Sequence, residues 1–434
     1  MKYFLIVGCA MKYSECLFRS ITEDCSALLN DPSFKEQYRY SKRHFTRNRK
    51  MHFADFMTII ISNAKNTLQG VLNQFLLLTK QEHKITYSKQ AFSKGRLRIR
   101  PEAFKALLNN VVRKVYATAE TQTWNGYHVI AIDGSRLNLP SDHALLEEFG
   151  ARKTGGAPQP QALLSCLYDV LNGFVIDAKL DGCQGSERDQ AAEMIRSLDT
   201  ALLRNPLFLA DRGCPSSALP ELLDSMGMKY LIRCDRTFLS RVPRKGNDTV
   251  VRYKFARSDR ALQFRIITCE LPSGEKEYLI TNLFGRKFRI GDFAYLYSLR
   301  RGIESRYNDL KNKLQIENFT GTSPIAVRQD VLAALFLADL SAVLVLDHAG
   351  EFKAAHNKTN NMYTYKMNIN LTFSILRQRL VVLLLSGSER QRKRIICSIS
   401  RFLLSASVPI RSGRSFDRSV SHKMSKFPLN CKLP

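Results

Sequence analysis

Between Tyr127 and Cys234 the chain alternates short apolar runs with helical stretches, and this alternation restricts the fold more than any other feature of the sequence. YHVIAID (127–133), LLSCLYDV (163–170), GFVIDAKL (173–180), LFLAD (207–211) and MKYLIRC (228–234) are β-rich runs bounded by turn formers. SERDQAAEMIRSLDTALL (186–203) and SSALPELLDSMG (216–227) carry apolar residues at helical spacing, the first with Ser186 as N-cap. Strand, strand, strand, helix, strand, helix, strand predicts an α/β layered domain.

Two of the predicted strands end in an aspartate with a glycine close behind, Asp133 before Gly134 and Asp211 before Gly213. Ligands of open α/β sheets bind beyond the C-terminal ends of strands, and a glycine lets backbone or ligand come near. Either aspartate alone is explained as a turn cap. A third acid lies in YLYSLRRGIESRYNDLKNKLQIENFTG (295–321). At about 100° per residue, Arg300, Glu304 and Lys311 fall within about 60° of Tyr297 on a helical wheel. Leu296, Leu299, Ile303, Leu310 and Leu314 form the adjoining apolar stripe, while Arg301, Ser305, Asn308 and Asn312 look outward. Read plainly, Glu304 and Arg300 are an i,i+4 surface pair. Read with Asp133 and Asp211, they are part of a metal site. Three carboxylates brought together repel one another unless cations sit between them, and hard oxygen ligands suit Mg²⁺, with Mn²⁺ as a substitute.

The 434 residues include 66 Lys+Arg against 39 Asp+Glu, a formal charge of +27, which favours a polyanionic partner such as nucleic acid. KEQYRYSKRHFTRNRK (35–50) interleaves cations with Tyr38, Tyr40 and Phe45, a pattern for gripping phosphate and stacking on bases, or a solvated connector. Residues 85–116 read as a short helix from Ser88, a turn near Gly95, and a longer helix after Pro101. In a helix-turn-helix reading, Lys89, Lys94, Arg96, Arg98 and Arg100 face DNA. Between about 235 and 290, TVVRYKF, ALQFRIITCEL and KEYLITNLF predict a small β insertion, with Arg252, Lys254 and Arg265 on its basic strands. The ten cysteines include no CxxC pair and read as reduced structural thiols. The N-terminal apolar run is too short for a signal peptide, and the apolar run 331–346 suits a buried helix, so no membrane segment is expected. Basic residues return at RQRKR (390–394), read as part of a tail.

IDGS around Asp133, ADRG around Asp211 and the spacing Tyr297-x2-Arg300-x3-Glu304-x6-Lys311 resemble the DDE transposases of the insertion-sequence-four family, whose signature is Tyr-x2-Arg-x3-Glu-x6-Lys. The resemblance covers about residues 85–345. It implies an α/β fold with an RNase H-like catalytic core and a β-rich insertion, flanked by helical N-terminal and C-terminal regions. The expected division is 1–120 for recognition of DNA ends, 121–234 with 291–350 for the core, 235–290 for the insertion, and 351–434 for a basic helical region. Asp133, Asp211 and Glu304 are then the catalytic, metal-binding acids, and Tyr297, Arg300 and Lys311 the DNA-binding residues. The implied activity is cut-and-paste movement of an insertion sequence, with double-stranded DNA (terminal inverted repeats and target) as partner and a homodimer on DNA, acting in the cytoplasm at the nucleoid. An RNase H-like nuclease without strand transfer, or an inactive DNA-binding relative, are the alternatives. Some relatives hold a flipped base against a tryptophan of the insertion, whereas Trp124 here precedes Asp133; Phe238, Phe264, Tyr278 or Phe284 are the aromatic substitutes.

Overall fold

The computed structural model describes residues 16–46, 50–62, 66–83, 86–152, 158–211, 218–235, 242, 246–254, 260–270, 274–285, 287–356 and 362–411. The N-terminal apolar run, Arg47, Arg49, Gly213, Pro215, Phe238 and the chain after Arg411 lie outside the described residues. The chain divides into two compact units, one of residues 116–309 and one of residues 1–115 with 310–434.

The unit of residues 116–309 is built on a mixed sheet. Within it, β1 (His128–Asn138) is flanked on one side by antiparallel β3 (Gln159–Asp169), which carries antiparallel β4 (Phe174–Gly182) and the two-residue β2 (Ala151–Arg152). On the other side lie β5 (Pro206–Ala210), parallel to β1, and β6 (Lys229–Cys234), parallel to β5. The β3–β4 turn closes with Gly173 at φ 82°, a left-handed position that favours glycine. Helices α7 (His143–Phe149), α8 (Glu187–Arg196) and α9 (Ala218–Ser225) fill the connections, and Ser186 caps α8 by accepting from Asp189 N as its sequence suggests. The α/β reading of this region holds.

The sequence places Asp133 at the end of a strand. Instead β1 runs on to Asn138, because residues 133–138 pair with 166–161 of β3. On the β5 side, pairing stops at Ala131↔Leu209, so Asp133 stands beyond the parallel ladder while still inside a strand. Asp211 does follow β5 directly.

Strands β7 (Asp248–Lys254), β8 (Ala261–Glu270) and β9 (Lys276–Thr281) form the β segment expected between Asp211 and Glu304. They prolong the main sheet, with β9 antiparallel to β6 and the order continuing β9, β8, β7. Arg252 and Lys254 are exposed on β7. Arg265, the third of the basic residues on these strands, is buried: its guanidinium pairs with Asp248, donates to Phe288 O at 3.0 Å, and lies 5.0 Å over the Phe293 ring.

The unit of residues 1–115 and 310–434 is mainly helical. Helices α1 (Leu17–Asn30), α2 (Pro32–Tyr38), α3 (Phe53–Ser62), α4 (Leu68–Leu78), α5 (Lys89–Arg96) and α6 (Glu102–Thr118) precede the sheet, and α6 crosses the boundary at Val115. The expected helix pair is α5 and α6, with Ser88 capping α5 and Phe92, Phe104, Leu107, Leu108, Val111 and Val112 buried. Arg96 does not face outward. It is 1% exposed and donates to Gln329 Oε1 (2.8 Å), Thr320 Oγ1 (2.6 Å), Ala326 O (3.2 Å) and Asp330 Oδ1 (2.7 Å). A guanidinium offers five donors, and only an interior rich in acceptors can hold one this deep.

Helix α12 (Pro324–His356) has the length and apolarity to cross a membrane, yet its most apolar window is mostly buried against α3 and α13 (Ile369–Leu385), as in the core of a folded domain. After α13 come α14 (Glu389–Ser405) and the antiparallel pair of β10 (Thr364–Met367) with β11 (Ser407–Ile410). RQRKR therefore opens a helix that packs Ile396, Ile399 and Leu403 inward, and the tail reading is wrong through Ile410. The described cysteines are free and mostly buried, and burial pushes the Cys16 and Cys25 thiols up to about 12, as inert structural thiols require.

Candidate active site

The sequence predicts one helix over the stretch from Tyr297 to Lys311. The structure breaks it into α10 (Ile290–Ser298), a tight turn at Leu299 and Arg300, α11 (Arg301–Asn308) and a π-helical turn, Asp309–Lys313. The turn is built from i→i+3 bonds, Arg300 N to Tyr297 O (3.0 Å) and Ile303 N to Arg300 O (3.1 Å) among them. Tightening there and loosening after Asn308 shift the wheel phase in opposite directions. The buried stripe survives at Leu296, Ile303, Leu310 and Leu314, and Arg301, Ser305, Asn308 and Asn312 are exposed as expected.

Arg300 is the hub. Its side chain is 9% exposed and touches all three predicted acids: Nη2 lies 2.7 Å from Glu304 Oε1 and 3.2 Å from Asp211 Oδ2, and Nη1 lies 3.7 Å from Asp133 Oδ2. Nη1 is buried and makes no hydrogen bond, so the Asp133 contact is an ion pair by distance alone. Asp133 comes from β1, Asp211 from the end of β5 and Glu304 from α11, so one cation gathers acids from three elements. Tyr297 Oη donates to Asp211 Oδ1 at 3.1 Å. Burial, reinforced by the Asp211 charge, keeps that phenol protonated far above neutral pH.

Burial also dominates Asp133, raising its carboxyl from 3.8 to about 6. Arg300 opposes the rise, while Glu187 and Glu304 add to it. Two supports were invisible in the sequence. Tyr307 on α11 donates to the backbone oxygen of Asp133 at 2.7 Å, tying the helix to the strand that bears the acid. Glu187, the first residue of α8, lies so near Gly134 that a Cβ there would stand 2.6 Å from its carboxyl carbon, which accounts for the glycine.

A second cation was also missed. Arg233 on β6 places Nη1 3.9 Å from Asp211 Oδ1 and Nε 3.1 Å from Glu277 Oε1. Lys311 belongs to the other unit, where Nζ lies 4.0 Å from Glu317 Oε1. Of the aromatic substitutes, Phe264 is buried, Tyr278 half-buried and Phe284 exposed; Trp124 stacks on Phe288 at 5.4 Å.

As the side chains stand, no group of three or more His, Cys, Asp or Glu among the described residues forms an ion cage. The donor set nevertheless suits a hard divalent ion: three carboxylates, each within 4 Å of one guanidinium, in a place where positive charge is already required. Arg300 fills that place here.

A family model described as the transposase DDE domain matches residues 124–340, half of the chain and the span that carries Asp133, Asp211, Tyr297, Arg300, Glu304 and Lys311. No curated protein matches the sequence. Among solved structures, the chain is similar to the piggyBac transposase in a cryo-EM synaptic complex with hairpin DNA, at 9% identity over 92% of this chain and 88% of that one, with a TM-score of 0.46.

Proposed function

Because the chain belongs to the transposase DDE-domain family and is a transposase, we propose that Asp133, Asp211 and Glu304 are its catalytic acids, in an RNase H-like core of the insertion-sequence-four kind. The observation that carries this reading is the convergence of the three carboxylates on Arg300 from β1, β5 and α11. Three antiparallel strands followed by two parallel ones, each of these reached through a helix, support the choice of core.

These acids would hold divalent ions, Mg²⁺ or Mn²⁺, which when bound supply charge for an attacking water or 3′ hydroxyl and for the leaving oxygen. The chain's own groups do the positioning. Arg300 exchanges the carboxylates for DNA phosphate, a partner its planar fork matches equally well. Tyr297 stays protonated and donates from beside Asp211, and Tyr307 fixes the backbone of Asp133. Lys311 meets phosphate as a point charge. The substrate is the double-stranded end of an insertion sequence, its terminal inverted repeat, and the product end joins target DNA by cut-and-paste chemistry. A homodimer pairs the two ends, and residues 1–120 recognise them. The basic charge of +27 suits this polyanionic partner.

The test supplies purified protein with Mg²⁺ and DNA carrying the element's own ends. Nicking followed by joining is the expected result. Nicking alone would mark a nuclease, and binding without cutting would mark a DNA-binding relative with a silent site.

A further inference from the structure

Pairing across the sheet aligns three charged side chains at the end of β5. The parallel register of β5 and β6 ends at Ala210↔Ile232, so Asp211 and Arg233 follow as neighbours. In the antiparallel register of β6 and β9, Arg233 faces Leu279, and Glu277 lies two residues along, on the same side of its strand. Side-chain exposure falls across the row from 38% at Asp211 through 22% at Arg233 to 8% at Glu277. A carboxylate as buried as Glu277 needs a cation, and Arg233 supplies it. Its Nε sits at ion-pair distance from Glu277 without hydrogen-bond alignment, and its Nη1 end reaches the more open Asp211 at only 3.9 Å, a loose contact.

The two arginines take opposite oxygens of the same carboxylate. Arg300 Nη2 faces Asp211 Oδ2, and Arg233 Nη1 faces Oδ1. Each oxygen of the Asp211 carboxylate thus has a different guanidinium within 4 Å. Resting on the active-site reading above, we infer that Arg233 is a second phosphate-binding residue, contacting a nonbridging oxygen of the reacting DNA phosphate on the side of Asp211 opposite Arg300, with Glu277 of the β insertion as its positioning residue. The segment between Asp211 and Glu304 thereby contributes to catalysis from within the sheet.

The experiment measures single-turnover cleavage of prebound end DNA by wild type, Arg233→Ala, Arg233→Lys, Glu277→Gln and the Arg233→Ala/Glu277→Gln double variant, with a thermal melt of each. Removing one preorganised donor from a developing phosphate charge should slow cleavage about 100-fold in Arg233→Ala. Arg233→Lys keeps the charge beside Glu277 but lacks the fork, and should recover only part of that loss. Glu277→Gln should slow cleavage about 10-fold, and the double variant should be no slower than Arg233→Ala, since a positioning residue has nothing left to position.

Sulfur at one nonbridging oxygen of the scissile phosphate supplies a readout that a structural role would leave unmoved. The rate penalty of one stereoisomer should be present in wild type and absent in Arg233→Ala. Cleavage by Arg233→Ala at the wild-type rate, a stereospecific penalty that survives in it, or effects that multiply in the double variant would each overturn the inference. Failure of the wild-type protein itself to cut end DNA would instead overturn the transposase reading beneath it.

Discussion

Asp133 shows how burial and function pull one side chain in different directions. The unfolded chain gives up this proton near 3.8, and the folded chain holds it to about 6. Between those values the folded state binds more protons than the unfolded one, so stability falls as pH rises through them. Above about pH 6 the ionised carboxylate costs a constant amount, on the order of a few kcal/mol. With metal chelated, Asp133→Asn should therefore raise the melting temperature relative to wild type by more at pH 8 than at pH 4.5; equal shifts at both would remove the burial argument. Arg96 poses the reverse case. Truncating a buried cation strands Asp330 and Gln329, so Arg96→Ala should cost about 3–5 kcal/mol in denaturant unfolding. A stable variant whose only defect was weak DNA binding would restore the outward-facing reading of that residue. At this scale the position of Asp211 just after a strand and the pairing of Glu304 with Arg300 were legible from strand ends and spacing. Arg233, Glu277 and Tyr307 were not, because their partners are fixed by strand pairing and helix docking, which leave no mark on local sequence. Arg96 misled for the same reason: an arginine is held inside only when acceptors arrive from elsewhere, and those of Arg96 lie more than 220 residues away.

Secondary-structure elements were read best where periodicity and punctuation agreed. β4, β5, β6, α5 and α8 begin near their expected residues because caps and turn formers sit at their edges. β1 outran its apolar run because pairing with β3, and no property of residues 134–138 themselves, keeps them extended. The segment from Tyr297 to Lys311 kept its apolar stripe while losing its continuity, since a wheel assumes one constant pitch. Gly95 carries an element-scale prediction. Within α5 an alanine would ordinarily stabilise the helix by up to about 1 kcal/mol. Here its Cβ would stand 2.4 Å from the Phe56 ring, which is buried and stacked on Phe92 at 5.0 Å. Overpacking should win, and Gly95→Ala should destabilise the protein by about 1–3 kcal/mol in thermal or denaturant unfolding. A stabilised variant would show that α3 and α5 pack more loosely than these contacts imply.

For the molecule as a whole, the two broad signals in the sequence were charge and the alternation of strands with helices, and they report on different things. Charge says which partner is attracted and nothing about fold. Binding to end DNA should accordingly weaken by orders of magnitude between about 50 and 200 mM salt, as expected when a protein displaces many counterions; a flat salt response would deny the phosphate contacts assigned to Arg300 and Lys311. The alternation gave the layered domain and left open how three distant acids meet. That meeting is the central claim, and the affinity of the protein bound to end DNA for Mn²⁺ tests it most directly. Asp133→Asn, Asp211→Asn and Glu304→Gln should each lower that affinity at least about 10-fold while leaving DNA bound. Mn²⁺ affinity unchanged by any one of the three replacements would contradict a shared metal site.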